Sequence, residues 1–119
     1  MFSLKKFFNS FRYAGRGLLQ VFYEEQSFRL QVLVAIIIII LAIYFKVVIW
    51  QIIVLFLVIT SVLVLELINS IFERMVDIIK PGIHEYARSI KDIMAATVLI
   101  VSVMAVIIGA LIFWPYFFS

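Results

Sequence analysis

Residues 32–45 read VLVAIIIIILAIYF, a run with no charge in it and no hydrogen-bonding side chain before Tyr44. Phe28 and Leu30 extend the run at one end and Val47 at the other. A helix needs about 20 mostly apolar residues to cross the hydrocarbon core of a bilayer. Backbone groups in hydrocarbon find partners only inside their own helix or in a closed barrel. The run is therefore expected to form a membrane-crossing helix. Two more runs have the same character. Residues 52–65 are interrupted only by Thr60 and Ser61 before Glu66, and residues 93–113 hold Thr97 and Ser102 as their only hydroxyls.

The composition agrees. The chain has 119 residues, of which 66% are hydrophobic and 14% charged, whereas a typical soluble domain is roughly 45–50% apolar and about 25% charged. A soluble domain this small buries only about 60% of its surface and could not hide so much apolar area. A soluble enzyme, a nucleic-acid-binding module and a disordered tail are all excluded on that ground. There is no cysteine and one histidine, His84, so Cys-based zinc or redox chemistry and a multi-histidine metal site within one chain are excluded as well.

Cations set the expected orientation. Of the ten Lys and Arg residues, Lys46 alone lies between the first two runs; the others precede the first run or fall between the second and third. Short loops rich in Lys and Arg remain cytoplasmic. The N-terminus and the 73–92 region are expected on the cytoplasmic side, with Lys46, Trp50, Trp114 and the C-terminus at the outer face. The net charge of +3 then reflects topology and attraction to anionic lipid, with no nucleic-acid partner expected. Ahead of the first run, Leu4, Phe7, Phe8, Phe11, Leu18, Leu19 and Phe22 recur at helical spacing opposite Lys5, Asn9, Arg12, Arg16 and Gln20. This is the pattern of an amphipathic helix lying in the membrane interface.

The expected fold is thus an all-α integral membrane protein, one membrane domain over 1–119. Its parts are an interfacial helix (1–27), a first span (28–47), a second span with a cytoplasmic extension (48–79), a cytoplasmic loop (80–89) and a third span (90–115). Lys46–Gln51 must be a tight hairpin, and Pro81-Gly82 marks the second connection. Ser89-x-x-Asp92 reads as a helix cap for the third span. Arg29, four residues after Glu25, reads as a helical ion pair with it.

The chemistry-bearing residues concentrate at one place. Glu66, Asn69, Glu73 and Asp77 project within roughly an 80° arc of one helix. Glu66 lies just inside an apolar run, where an ionisable group is costly and points to function. A single three-helix chain has little interior to shield Glu66, Asn69 and Glu73 from lipid, so a bundle completed by further copies is expected to do so. Carboxylates without His or Cys suit a hard cation such as Mg²⁺, bound through one or two carboxylates and substrate phosphates. Lys91 beside them suits a polyphosphate. The glycines form no phosphate-cradling loop, so a P-loop or protein-kinase mechanism is excluded.

Glu66-Leu-Ile-Asn69-Ser70-x-x-Glu73-x-x-x-Asp77, followed by His84-Glu85 and by Lys91-Asp92-x-x-Ala95-Ala96-x-Val98-Leu99, resembles the prokaryotic diacylglycerol kinase family, which includes the undecaprenol kinases. The resemblance extends from Arg16-Gly17-Leu18 through Glu25-x-x-Phe28-Arg29 to the third span. It implies a homotrimeric kinase of the bacterial cytoplasmic (inner) membrane, multi-pass, whose cytoplasmic active sites are shared between subunits and transfer the γ-phosphate of ATP to a lipid alcohol. By matched position it implies Glu66 as general base, with Asn69 and Lys91 as further catalytic residues. Glu25 and Glu73 would hold Mg²⁺. ATP would meet Tyr13, Glu25, Glu73, Asp77, the segment Gly82, Ile83 and His84, and the pair Lys91 and Asp92. Diacylglycerol is the first reading of the acceptor and undecaprenol the alternative, because Gln31 stands where diacylglycerol kinases carry an acid and undecaprenol kinases a histidine. A non-enzymatic membrane subunit or a proton-coupled transporter is the reading from another class; the absence of an internal repeat speaks against it.

Overall fold

A computed structural model describes residues 3–79 and 84–118. These residues form four helices in chain order: α1 (Leu4–Glu24), α2 (Gln26–Tyr44), α3 (Ile49–Ile79) and α4 (His84–Phe117). The last three are long and apolar enough to cross a membrane. At 1.5 Å per residue α2 spans about 28 Å, close to the hydrocarbon thickness, while α3 and α4 span about 46 and 51 Å. The two longer helices overhang the hydrocarbon, and Glu73, Asp77 and Lys91 stand on these overhangs.

Each helix end has a local cause. Ser3 caps α1, its Oγ accepting from the Lys6 backbone N–H at 3.4 Å. The helix stops at Glu25, whose backbone is extended (φ −111°, ψ 111°), and α2 starts at the next residue. A guanidinium nitrogen of Arg29 donates to the carbonyls of Phe22 and Tyr23 at 2.9 and 2.8 Å. It thereby satisfies acceptors that the end of α1 leaves open. Arg29 is thus occupied with backbone, and the expected ion pair with Glu25 is not formed, because the helix that would have aligned the two is broken at Glu25.

The connection from α2 to α3 is the tight hairpin expected, and it lies at 45–48. Lys46 donates from its backbone to Ile43 O and Val47 to Ala42 O, at 3.2 and 3.1 Å, the bonding pattern of a Schellman C-cap. Lys46 occupies the left-handed position with φ 54°, where glycine is the usual residue. That end also holds the best-packed interior. Ala42, Val47, Leu55, Ile112 and Phe113 are buried against one another, Phe45 meets Phe117 edge-on at 4.7 Å, and the Tyr116 hydroxyl donates to Gln51 Oε1 at 2.8 Å. The hairpin is therefore pinned to the C-terminal end of α4.

At the opposite end the helical bounds differ from the sequence expectation. Residues 84–89 belong to α4 rather than to a loop, and Ser89 lies inside the helix instead of capping it. Packing explains the extra turns: Ala87 and Val76 are 5% and 2% exposed, so this polar stretch presents one apolar side to the protein.

A left-handed conformation costs an ordinary L-residue roughly 1–2 kcal/mol. Lys46→Val should accordingly lower resistance to thermal unfolding in detergent by about 1 kcal/mol or more relative to Lys46→Gly. Equal stability of the two variants would show that the turn conformation is different.

Candidate active site

The break at Glu25 places the start of α2 beside α3, about 25 Å along α3 from Ile49. Three polar contacts join the elements there. Ser27 Oγ donates to Glu66 Oε1 at 2.5 Å, and Gln31 Nε2 approaches Glu66 Oε2 at 3.4 Å. Ser70 Oγ donates to Glu25 Oε1 at 3.3 Å. A buried carboxylate is tolerated only when its oxygens are hydrogen-bonded, and Glu66, 5% exposed, meets that condition. Sequence reasoning passed over Ser27 and Ser70. The signal available was helical spacing, since Ser27 and Gln31 stand one turn apart on one face of α2.

A single chain buries Glu66. The expectation that further copies are needed to shield it is thus not met, because α2 crosses directly over it and supplies two donors. Asn69 and Glu73 are half-buried and bonded to each other, Asn69 Nδ2 donating to Glu73 Oε1 at 3.2 Å.

Basic residues divide the remaining carboxylates. Arg74 donates to Glu24 Oε1 at 2.8 Å and from Nε to Ser70 Oγ at 3.3 Å. Lys91 donates to Asp77 Oδ1 at 2.8 Å, tying the overhangs of α3 and α4 together. Both ion pairs are largely exposed, and pairs of that kind contribute about 0–1 kcal/mol. Their effect is to fix geometry. Among the described residues neither Glu25 nor Glu73 is in an ion pair. Glu25 reaches α3 at Ser70 and Glu73 is bonded at Asn69, so the two carboxylates meet adjacent residues of one helical turn.

The donor set suits a hard cation. Glu25 and Glu73 would offer carboxylate oxygens, and Asn69 Oδ1 is buried with no partner, an oxygen acceptor in want of a donor or a metal. No group of three His, Cys, Asp or Glu side chains gathers among the described residues, so any ion here completes its shell with ligands from elsewhere.

Other expected site residues are not drawn in. Tyr13 is 60% exposed on α1, with the Arg16 guanidinium 5.5 Å from its ring centre; among the described residues no hydrogen bond or ring contact joins it to α3 or α4. Asp92 is exposed in the N-terminal third of α4, next to Lys91. Gly82 and Ile83 lie outside the described residues, as does the side chain of His84.

An apolar cleft of about 540 Å³ runs between α2, α3 and α4, walled by residues such as Val34, Ile38, Val58, Val62, Ala105 and Val106. Gln31 lies on its wall. Gln31 also approaches Glu66, so one side chain links the wall of the cleft to the buried carboxylate. Gln31 Oε1 is itself buried without a partner.

Comparison with known proteins gives a consistent answer. The chain is 35% identical over 112 residues to an undecaprenol kinase from Bacillus subtilis, covering 94% of this chain and 91% of that protein. It is 33% identical over 107 residues to a diacylglycerol kinase from Synechocystis, covering 89% of this chain and 61% of that protein. A diacylglycerol kinase from Escherichia coli is 29% identical over 105 residues, with 88% and 86% covered. All three are named as kinases of lipid alcohols, and none as a transporter. The family model described as prokaryotic diacylglycerol kinase matches residues 12–113. That match contains both partners of every α2–α3 contact described above, and the chain is an enzyme, a lipid kinase belonging to the prokaryotic diacylglycerol kinase family.

Proposed function

We propose that this protein transfers the γ-phosphate of ATP to the hydroxyl of a membrane lipid alcohol, with Glu66 as the general base. The observation that carries the reading is the buried Glu66 carboxylate, held on both oxygens by α2 through donors of which one, Gln31, also walls an apolar cleft. A hydrocarbon chain in that cleft brings its terminal hydroxyl to a group able to take the proton. Phosphoryl transfer asks a protein mainly for positioning and charge neutralisation. Glu66 accepts the alcohol's proton as the oxygen attacks. Asn69 orients Glu73, and Lys91, held by Asp77, places a cation where the α3 and α4 overhangs meet. Glu25 and Glu73, with Asn69 in support, would hold Mg²⁺, which would supply charge neutralisation at the phosphates. Asp92, Tyr13 and the 82–84 segment complete the nucleotide contacts in this reading.

The location follows from the same argument. A lipid hydroxyl resides at the interface and ATP in the cytoplasm, so the site belongs at the inner face of the bacterial cytoplasmic membrane. Its nine cations outside the first hairpin belong on that side too. In α1, Leu4, Phe8 and Phe11 are exposed, which supports a helix lying in the interface, its aromatic side toward lipid. A homotrimer accords with the cleft left open between α2 and α4, and with a nucleotide site to which one chain brings few ligands.

For the acceptor, identity to the undecaprenol kinase is 35%, against 33% and 29% for the two diacylglycerol kinases, an order that favours a polyprenol by a small margin. The cleft supports that order, since its walls carry only Gln31 and Ser102 as polar side chains and diacylglycerol brings two ester carbonyls that require donors.

Three measurements test these statements. Glu66→Gln, which keeps shape and one donor–acceptor pair, should abolish lipid phosphorylation in micelles while leaving helical content unchanged; near-parental turnover removes Glu66 from the base role. Glu25→Ala and Glu73→Ala should each raise the Mg²⁺ concentration needed for half-maximal rate by tenfold or more, and unchanged metal dependence in both would refute the metal assignment. Assayed side by side, undecaprenol should give the higher kcat/KM; ATP consumption independent of any added lipid alcohol would overturn the acceptor chemistry altogether.

A further inference from the structure

We propose that Ser27 and Gln31 are positioning residues for Glu66, a two-point clamp that aims its carboxylate at the acceptor hydroxyl; the inference rests on the base role proposed for Glu66. The two residues stand four apart in α2 and therefore project from one face, one turn above the other. Each addresses a different oxygen: Ser27 Oγ donates to Oε1 at 2.5 Å and Gln31 Nε2 approaches Oε2 at 3.4 Å.

The physical need is specific. A Glu side chain ends in a carboxyl whose last torsion is broad and soft, so packing of its methylenes alone leaves the carboxylate plane free to turn. Two donors on opposite oxygens remove that freedom. They also leave capacity for the reaction, because an ionised carboxylate offers about four lone-pair sites and the clamp occupies two. The surroundings make the clamp matter more: Glu66 is 5% exposed, and hydrogen bonds to a charged group in such a setting are strong and directional.

The two members differ in what they tolerate. Once Glu66 has accepted the alcohol's proton, the carboxyl has an O–H to place. The Ser27 hydroxyl can rotate from donor to acceptor, whereas the Gln31 amide nitrogen only donates. With the Gln31 amide nitrogen facing Oε2 as in this structure, Oε1, facing Ser27, is the oxygen placed to carry the proton. Ser27 is the dominant member by distance, and Gln31 steers the second oxygen from the wall of the cleft.

The test combines kinetics with a spectroscopic readout of the carboxylate. In detergent-solubilised full-length protein with undecaprenol and MgATP, Ser27→Ala should lower kcat at least tenfold with KM for ATP unchanged, and Ser27→Thr should keep kcat within about threefold. Infrared difference spectra between parent and Glu66→Gln isolate the Glu66 carboxylate stretch, and in a Ser27→Ala background that band should move. Should Ser27→Ala fail to fold, Ser27→Cys, nearly isosteric with a weak donor, carries the same expectation. A Ser27→Ala kcat within twofold of the parent, a band that does not move, or a Ser27→Thr variant as slow as Ser27→Ala overturns the clamp. Near-parental turnover of Glu66→Gln, with a Glu66 band in the parent that still moves on Ser27→Ala, overturns the base role and the aiming function with it while leaving the contact intact, so the two failures are told apart.

Discussion

A carboxyl side chain beside hydrocarbon must find hydrogen-bond partners, and the arrangement around Glu66 is organised by that requirement. The carboxylate sits in the long helix α3 with aliphatic residues before it, where water does not solvate it. Ser27 and Gln31 of α2 supply what solvent would. Each depends on the packing of α2 against α3, so the same contact that satisfies Glu66 also sets how the two helices lie. The residue that costs most to bury is in this way the one that fixes the register between elements.

The break at Glu25 makes this geometry reachable. A continuous helix through residues 24–26 would carry α1 straight on from α2 and take Glu25 away from α3. With one extended residue, α1 ends, Arg29 satisfies its last carbonyls, and Glu25 reaches Ser70. Arg74 serves both sides of the joint by holding Glu24 and by donating to Ser70. Of two successive acids, one is thus spent on an ion pair and the other is left facing the turn that carries Asn69 and Glu73.

The two ends of the bundle have different tasks. At the hairpin end, aromatic and aliphatic side chains of α2, α3 and α4 interlock around Phe45 and Phe113, and Tyr116 pins the turn through Gln51. At the other end the helices are joined through polar contacts across half-buried residues, with the Lys91–Asp77 pair at the periphery. The apolar interior is thus concentrated at the hairpin end, and the polar contacts at the end that carries Glu66 and Glu73.

Hydropathy alone determined the three long apolar helices and the tight turn at Lys46, because hydrocarbon leaves a backbone no other choice. Helical spacing alone put Glu66, Asn69, Glu73 and Asp77 on one face, since that follows from 100° per residue. What remained for tertiary structure were relations between segments distant in the chain: that Ser27 and Gln31 close on Glu66, that Ser70 joins Glu25, and that one chain suffices to bury the carboxylate. The helical extension through residues 84–89 belongs to the same group, for Ala87 and Val76 are buried there in a stretch whose polarity reads as loop. Local pattern carries periodicity and transfer cost, whereas donors for a buried acid and partners for a small apolar face are supplied by whichever helix packs there, and no single segment encodes that neighbour.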